Sequence, residues 1–182
     1  MSNRDTRSIT FYEKELPSYV VGLGLLRVRD EENYFVIGIE QGIIEIIDIT
    51  GTKIASKVLK EGEIIRNIHV FGDKIAVLTS HKVFLMHYRK GLIEIIDNFR
   101  FTDHEIGRMI RMGDFDGDGE LEYLILTYQG NVYVIKRKGK RRTYRKRIAS
   151  GNALQIDAKA VSYTHLRAHE TEADLVCRLL LE

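Results

Sequence analysis

Cysteine is all but missing from this chain: Cys177 is the only one, so no disulfide framework holds the fold together. Proline is equally scarce, with Pro17 alone, and tryptophan is absent. No apolar stretch approaches the roughly 18 residues that a membrane-spanning helix requires. The segment from Met1 to Leu16 is polar and charged and lacks the apolar run of a signal peptide, so a cytoplasmic location is expected. Charge of one sign is also lacking: the formal net charge is +2, too small by itself to imply a polyanionic partner. The sequence contains no G-x-S-x-G elbow, no phosphate-cradling loop and no zinc signature. His69, His81, His87 and His104 share no metal-ligand spacing and are expected to be solvated or packed. Present instead are 182 residues, 44% apolar and 30% charged, enough for one globular unit with a sizeable core.

Its pattern is a repeat. Tyr34 to Gly51, Lys74 to Gly91 and Glu122 to Gly139 each read as an apolar strand, a tight turn, a second apolar strand and a closing glycine. Gln41-Gly42 and Gln129-Gly130 make the same turn, and His81-Lys82 takes that place in the middle unit. A further strand candidate precedes each hairpin, at Val20 to Val28, Ile64 to Phe71 and Arg108 to Met112, and another follows it, at Lys53 to Val58, Leu92 to Ile96 and Thr143 to Ile148. Four strands at a period of about 40 residues are the signature of propeller blades. A β-sandwich or open barrel of hairpins would also use such strands, but the even spacing favours blades. The expected fold is therefore all-β, a partial β-propeller of about three four-stranded blades. Those blades span roughly 18–60, 61–104 and 105–150, and Ala153 to Asp157 opens a fourth over 151–160. Three blades do not close a ring, so the protein is expected to continue past Ala160.

The chemistry lies in Gly113-Asp-Phe-Asp-Gly-Asp-Gly-Glu-Leu-Glu-Tyr-Leu-Ile125. Asp114, Asp116 and Asp118 alternate, and Gly117 and Gly119 let the backbone curl so that their carboxylates converge. Calcium takes hard oxygen ligands in just such a set, with the Glu120 carbonyl and Glu122 placed to complete it. Ile125 at the twelfth position, where an EF-hand needs a bidentate Glu, and the strand-like flanks argue against an EF-hand. A plain Asp/Gly turn without metal would gather three mutually repelling carboxylates for no gain. This loop resembles the calcium loop of FG-GAP or VCBS repeats, found in integrin-α-like propellers. Glu122 departs from the usual pattern, which has Asp at that ninth position. The resemblance covers one blade. It implies a noncatalytic propeller in which calcium stiffens the connection between the first two strands of a blade. The middle blade joins those strands by the short turn Gly72-Asp73. The longer acidic loop is expected to account for the eight extra residues between Gly91 and Gly139, which are 48 apart against 40 from Gly51 to Gly91.

The last 22 residues differ in kind. Val161 to Thr171 and Asp174 to Leu181 resemble the translation of a transposase-type sequencing adapter, with Glu172 and Ala173 where a variable index sits. Residues 161–182 are accordingly expected to be a non-native tail. Setting them aside leaves 26 basic and 22 acidic residues and no cysteine.

Lys136 to Arg147 carries nine basic residues in twelve. Such a run binds polyanions, or it protects an exposed edge strand from pairing with another chain. Tyr144 is its only aromatic, too few for base stacking, so nucleic acid is disfavoured. The expected function is a noncatalytic, calcium-stabilised propeller that binds a protein or a glycan. One alternative is a propeller-based enzyme, a hydrolase or quinone-type oxidoreductase, with its catalytic residues in further blades. Quinone-type propellers usually carry tryptophan in each blade, which this chain lacks. The other alternative is a polyanion-binding propeller using 136–147.

Overall fold

The computed structural model describes residues 16, 18–28, 33–60, 62–138 and 142–149. Among these residues all regular structure is β, in twelve strands that form three separate sheets. The first sheet runs β1 (Val20–Arg27), β2 (Asn33–Ile39), β3 (Ile43–Ile47) and β4 (Lys53–Val58). The second runs β5 (Ile65–Phe71), β6 (Lys74–Thr79), β7 (Lys82–Arg89) and β8 (Leu92–Arg100). The third runs β9 (Gly107–Gly113), β10 (Glu122–Thr127), β11 (Val132–Lys138) and β12 (Arg142–Ala149). Every sheet is an antiparallel meander with its strands in chain order. The expected all-β, four-stranded blades are therefore observed. No helix among the described residues is long and apolar enough to cross a membrane.

The sheets stack face to face, which explains why their central strands are apolar on both sides. On β6, Ile75 and Val77 pack into a core shared with Leu26, Val36, Ile44 and Ile46 of the first sheet. The alternate residues Ala76 and Leu78 enter a second core with Ile110, Met112, Tyr123 and Ile125 of the third. Successive strand residues point to opposite faces, so a strand between two neighbours needs an unbroken apolar run. The middle sheet is thus sandwiched, and its inner strand β5 lies between β1 and β9. This is blade packing, and the chain forms a partial β-propeller.

Glycine sets how closely the blades approach. A Cβ on Gly22 would fall 2.6 Å from Ile68 Cγ1 and 2.9 Å from the Ile68 backbone nitrogen, and one on Gly24 would fall 2.4 Å from Val70 Cγ2. Polar groups then tie the inner strands. Asn67 donates from Nδ2 to the Val21 carbonyl (3.4 Å) and accepts the Ile110 N–H at Oδ1 (3.2 Å), so one side chain bridges three blades. His69 Nδ1 accepts the Met112 N–H at 3.1 Å. Main-chain bonds repeat from blade to blade as well. The Ile65 N–H donates to the Glu40 carbonyl (3.0 Å), and the Gly107 N–H donates to the Ser80 carbonyl (2.9 Å). Each inner strand also carries an irregularity at its second residue, at Val21, Arg66 and Arg108, where the register with the next strand shifts.

Two sequence expectations change in detail. The middle hairpin turns at Ser80-His81, one residue before His81-Lys82, because Lys82 already pairs with Arg100 in β7. The β9–β10 connection has eight residues against two at Gly72-Asp73, so it supplies six of the eight extra residues and strand and turn lengths supply the rest. The fourth-blade segment 151–160, the tail 161–182 and the closing Gly139 lie outside the described residues.

Candidate metal centre

The acidic loop joins β9 to β10 in the third blade. Sheet register places its far end: Glu122 pairs with Gly113 on one side and with Lys136 of β11 on the other. Directly opposed residues in an antiparallel pair present their side chains on one face, close together. The loop then folds around Asp114. Its Oδ1 accepts the Gly117 N–H at 2.7 Å and its Oδ2 accepts the Gly119 N–H at 3.0 Å. Both glycines have positive φ, 78° and 84°, a conformation that a side chain would strain. Asp116 Oδ1 accepts the Asp118 N–H (3.3 Å), Asp118 Oδ1 accepts the Glu120 N–H (3.0 Å), and Glu122 Oε2 accepts the Phe115 N–H (2.8 Å). Phe115 anchors the loop by packing against the cluster of Leu124, Leu126 and Val132.

Of the five residues expected to hold a metal, Asp114, Asp116 and Glu122 each offer a carboxylate oxygen, and these oxygens lie within 4.8 Å of one another. Asp118 joins the group through a shared partner. Glu120 is exposed, and its N–H serves the Asx-type bond to Asp118. That shared partner is Lys136, which the sequence pattern assigned to the basic run. Its Nζ is 2.8 Å from Asp116 Oδ2, 2.5 Å from Asp118 Oδ2 and 2.8 Å from Glu122 Oε1. The approach to Glu122 is within ion-pair distance but misses hydrogen-bond geometry, leaving the buried Oε1 without an aligned donor. Burial works against the charge on Lys136, but the hydrogen bonds to Asp116 and Asp118 and the close, negatively charged Glu122 carboxylate outweigh it and raise its pKa well above the ordinary lysine value. The hydrogen bond from Lys136 correspondingly holds the Asp118 carboxyl below its usual range.

In donor chemistry the set fits a hard cation. Oxygens that share one calcium at about 2.3–2.6 Å lie at most about 5 Å apart, and those of Asp114, Asp116 and Glu122 meet that limit. Asp114, Asp116, Asp118 and Glu122 against the single ammonium of Lys136 leave a net charge of −3 in the cluster, with Glu120 exposed beside it. Three histidines are occupied elsewhere: His69 by the Met112 N–H, His81 with Nδ1 3.0 Å from the Glu105 carbonyl, and His87 with Nε2 2.7 Å from Glu94 Oε2. Of the rest of the basic run, Arg137 and Lys138 fall on β11 and Arg142, Arg145, Lys146 and Arg147 on β12, which among the described residues pairs only with β11.

No family model matches the chain, and no curated protein matches it. Among solved structures it is similar to one described as "Structure of Dos1 propeller", at 12% identity and a TM-score of 0.48. That match covers 62% of this chain and 32% of the other, so the chain spans about a third of that structure's length.

Proposed function

We propose that this chain is part of a noncatalytic, calcium-stabilised β-propeller that serves as an interaction scaffold for a protein or a glycan. The observation that carries the calcium reading is the convergence of Asp114, Asp116 and Glu122 oxygens within 4.8 Å, in a loop whose backbone is already wound by Asp114. These three, with Asp118, would hold the ion, and bound calcium would supply a divalent charge that neutralises the mutual repulsion of the carboxylates. The chain's own residues do the rest: Gly117 and Gly119 admit the curl, Phe115 anchors it to the sheet, and Glu122 fixes its exit in register with β11.

A ligand that binds only the folded state stabilises it by RT ln(1 + [L]/Kd), about 2.7 kcal/mol at a hundredfold excess over Kd. Thermal melting of the chain with calcium and with a chelator tests the reading. The wild type should gain several degrees from calcium, and Asp116→Ala should gain much less. Identical wild-type melting in the two conditions would reduce the loop to an ordinary Asp/Gly turn.

A further inference from the structure

We propose that Lys136 is a built-in competitor for the cation: its ammonium holds the loop when calcium is scarce and is displaced when calcium is plentiful. This rests on the calcium reading of the same loop and concerns how its occupancy is set. Asp116 and Glu122 belong both to the converging oxygen set and to the group contacted by Lys136 Nζ, at 2.8 Å each, so an ammonium and a divalent ion need the same oxygens. The lysine does not reach in from the surface by chance. Its side chain is 12% exposed, and its backbone is fixed opposite Glu122 by the β10–β11 register.

A second observation points to a cation rather than to the lysine alone. The Glu122 side chain is 4% exposed, and its Oε1 has no aligned donor despite the nearby Nζ. An ammonium donates along three tetrahedral directions that rotate together, and here the aligned bonds go to Asp116 and Asp118. This buried oxygen is therefore served by proximity only. A spherical ion has no such directional demand and satisfies that oxygen together with the others. The four-carbon stem of Lys136 lets the ammonium swing outward while the backbone pairing stays in place. Since the lysine leaves three of four negative charges unbalanced, exchange for a divalent ion is favoured once that ion is abundant.

The test combines calcium titration by calorimetry with melting in chelator and in saturating calcium, for the wild type and Lys136→Gln. Removing one positive charge within a few ångströms should tighten calcium binding by about tenfold or more. The variant should melt below the wild type in chelator, and the gap should close or reverse in calcium. A lysine with a merely structural role would lower melting equally in both conditions and leave the affinity unchanged, which would overturn the inference while leaving the calcium reading intact. Calcium binding to neither protein would sink the calcium reading, and the competition with it. A wild-type readout guards against a variant that fails to fold. Acetylation of Lys136, followed by mass spectrometry, should be slow in chelator and several-fold faster in calcium. Unchanged reactivity while calcium binds would show that the lysine never leaves.

Discussion

Protonating His69 would remove the acceptor on which the Met112 N–H depends, since its Nδ1 takes that bond at 3.1 Å. Burial, with the Arg111 guanidinium adding to it, pushes its pKa down from 6.5 to about 4. The unfolded chain therefore binds a proton that the native one refuses as pH falls below the ordinary histidine value. The stability that neutral His69 contributes is fully present above about 6.5 and is lost as pH falls toward 4. Melting temperatures measured from pH 7 to 4 should fall more steeply for the wild type than for His69→Gln, which keeps an acceptor and does not titrate. Parallel curves would remove His69 from the acid response. At Gly22, an alanine Cβ would meet the Ile68 nitrogen at 2.9 Å, and backbone does not yield as a side chain does. Gly22→Ala should cost about 1–3 kcal/mol by urea denaturation, and a loss near zero would show that the two blades can move apart at this point. Single residues also show where sequence reasoning stops. The convergence of Asp114 and Asp116 was legible because it is local, produced by alternating spacing and two glycines, whereas Asp118 joins them only through Lys136. Lys136 was not legible, because it reaches the loop only through the register that sets it opposite Glu122, and the basic residues around it suggested another purpose.

Strands and loops obey a different logic, because each is judged by what lies on both of its sides. The apolar runs predicted the central strands well: β6 is continuous Ile75-Ala-Val-Leu78 since both faces are covered. The inner-strand irregularities at Val21, Arg66 and Arg108 left no such trace, being fixed by pairing across strands and not by composition. The amides of Ala76, Val77 and Leu78 should be among the slowest to exchange with deuterium, as they sit in a strand paired and packed on all sides. Rapid exchange there would mean that the blades separate readily. In the acidic loop, Asp114 and Asp116 should separate by condition. Asp114 accepts two main-chain N–H groups, so Asp114→Ala should lower stability by about 1–2 kcal/mol even in chelator. Asp116 holds one longer main-chain bond and shares the lysine with Asp118, so its loss should cost less than that of Asp114 in chelator and more when calcium is present. Equal losses in chelator would argue that the loop is organised otherwise.

Across the whole molecule, the two outer faces of the stack carry the same kind of side chain as the two inner interfaces. On the first blade, Leu23 and Leu25 lie opposite Ile37 and Phe35, and Val58 lies opposite Ile43, on the side away from the second blade. Leu23 is 66% exposed and Val58 64%. Ile37, Ile39 and Ile47 at the centre of this face are buried with Leu16, while its rim is exposed, and exposed apolar side chains of this kind favour association. Sedimentation should show the chain self-associating with concentration, and the pair Leu23→Lys and Val58→Lys should shift it toward monomer without changing its β content. A wild type that stays monomeric at high concentration would show that the face is covered. The bonds from Ile65 to Glu40 and from Gly107 to Ser80 have a wider consequence. The first blade offers the second a docking carbonyl, and the second offers the third one at the same place, so the main-chain couplings of the middle blade match front and rear. Its side-chain buffers do not: Gly38 lies against Ile65 and Ile68 at the first joint, whereas Gly107 lies against Leu78 at the second. A gene in which residues 62–104 occur twice in tandem would set Ile65 of the second copy against Leu78 of the first, so the extra blade should couple only when that Leu78 is changed to Gly, and the unmodified duplication should melt lower.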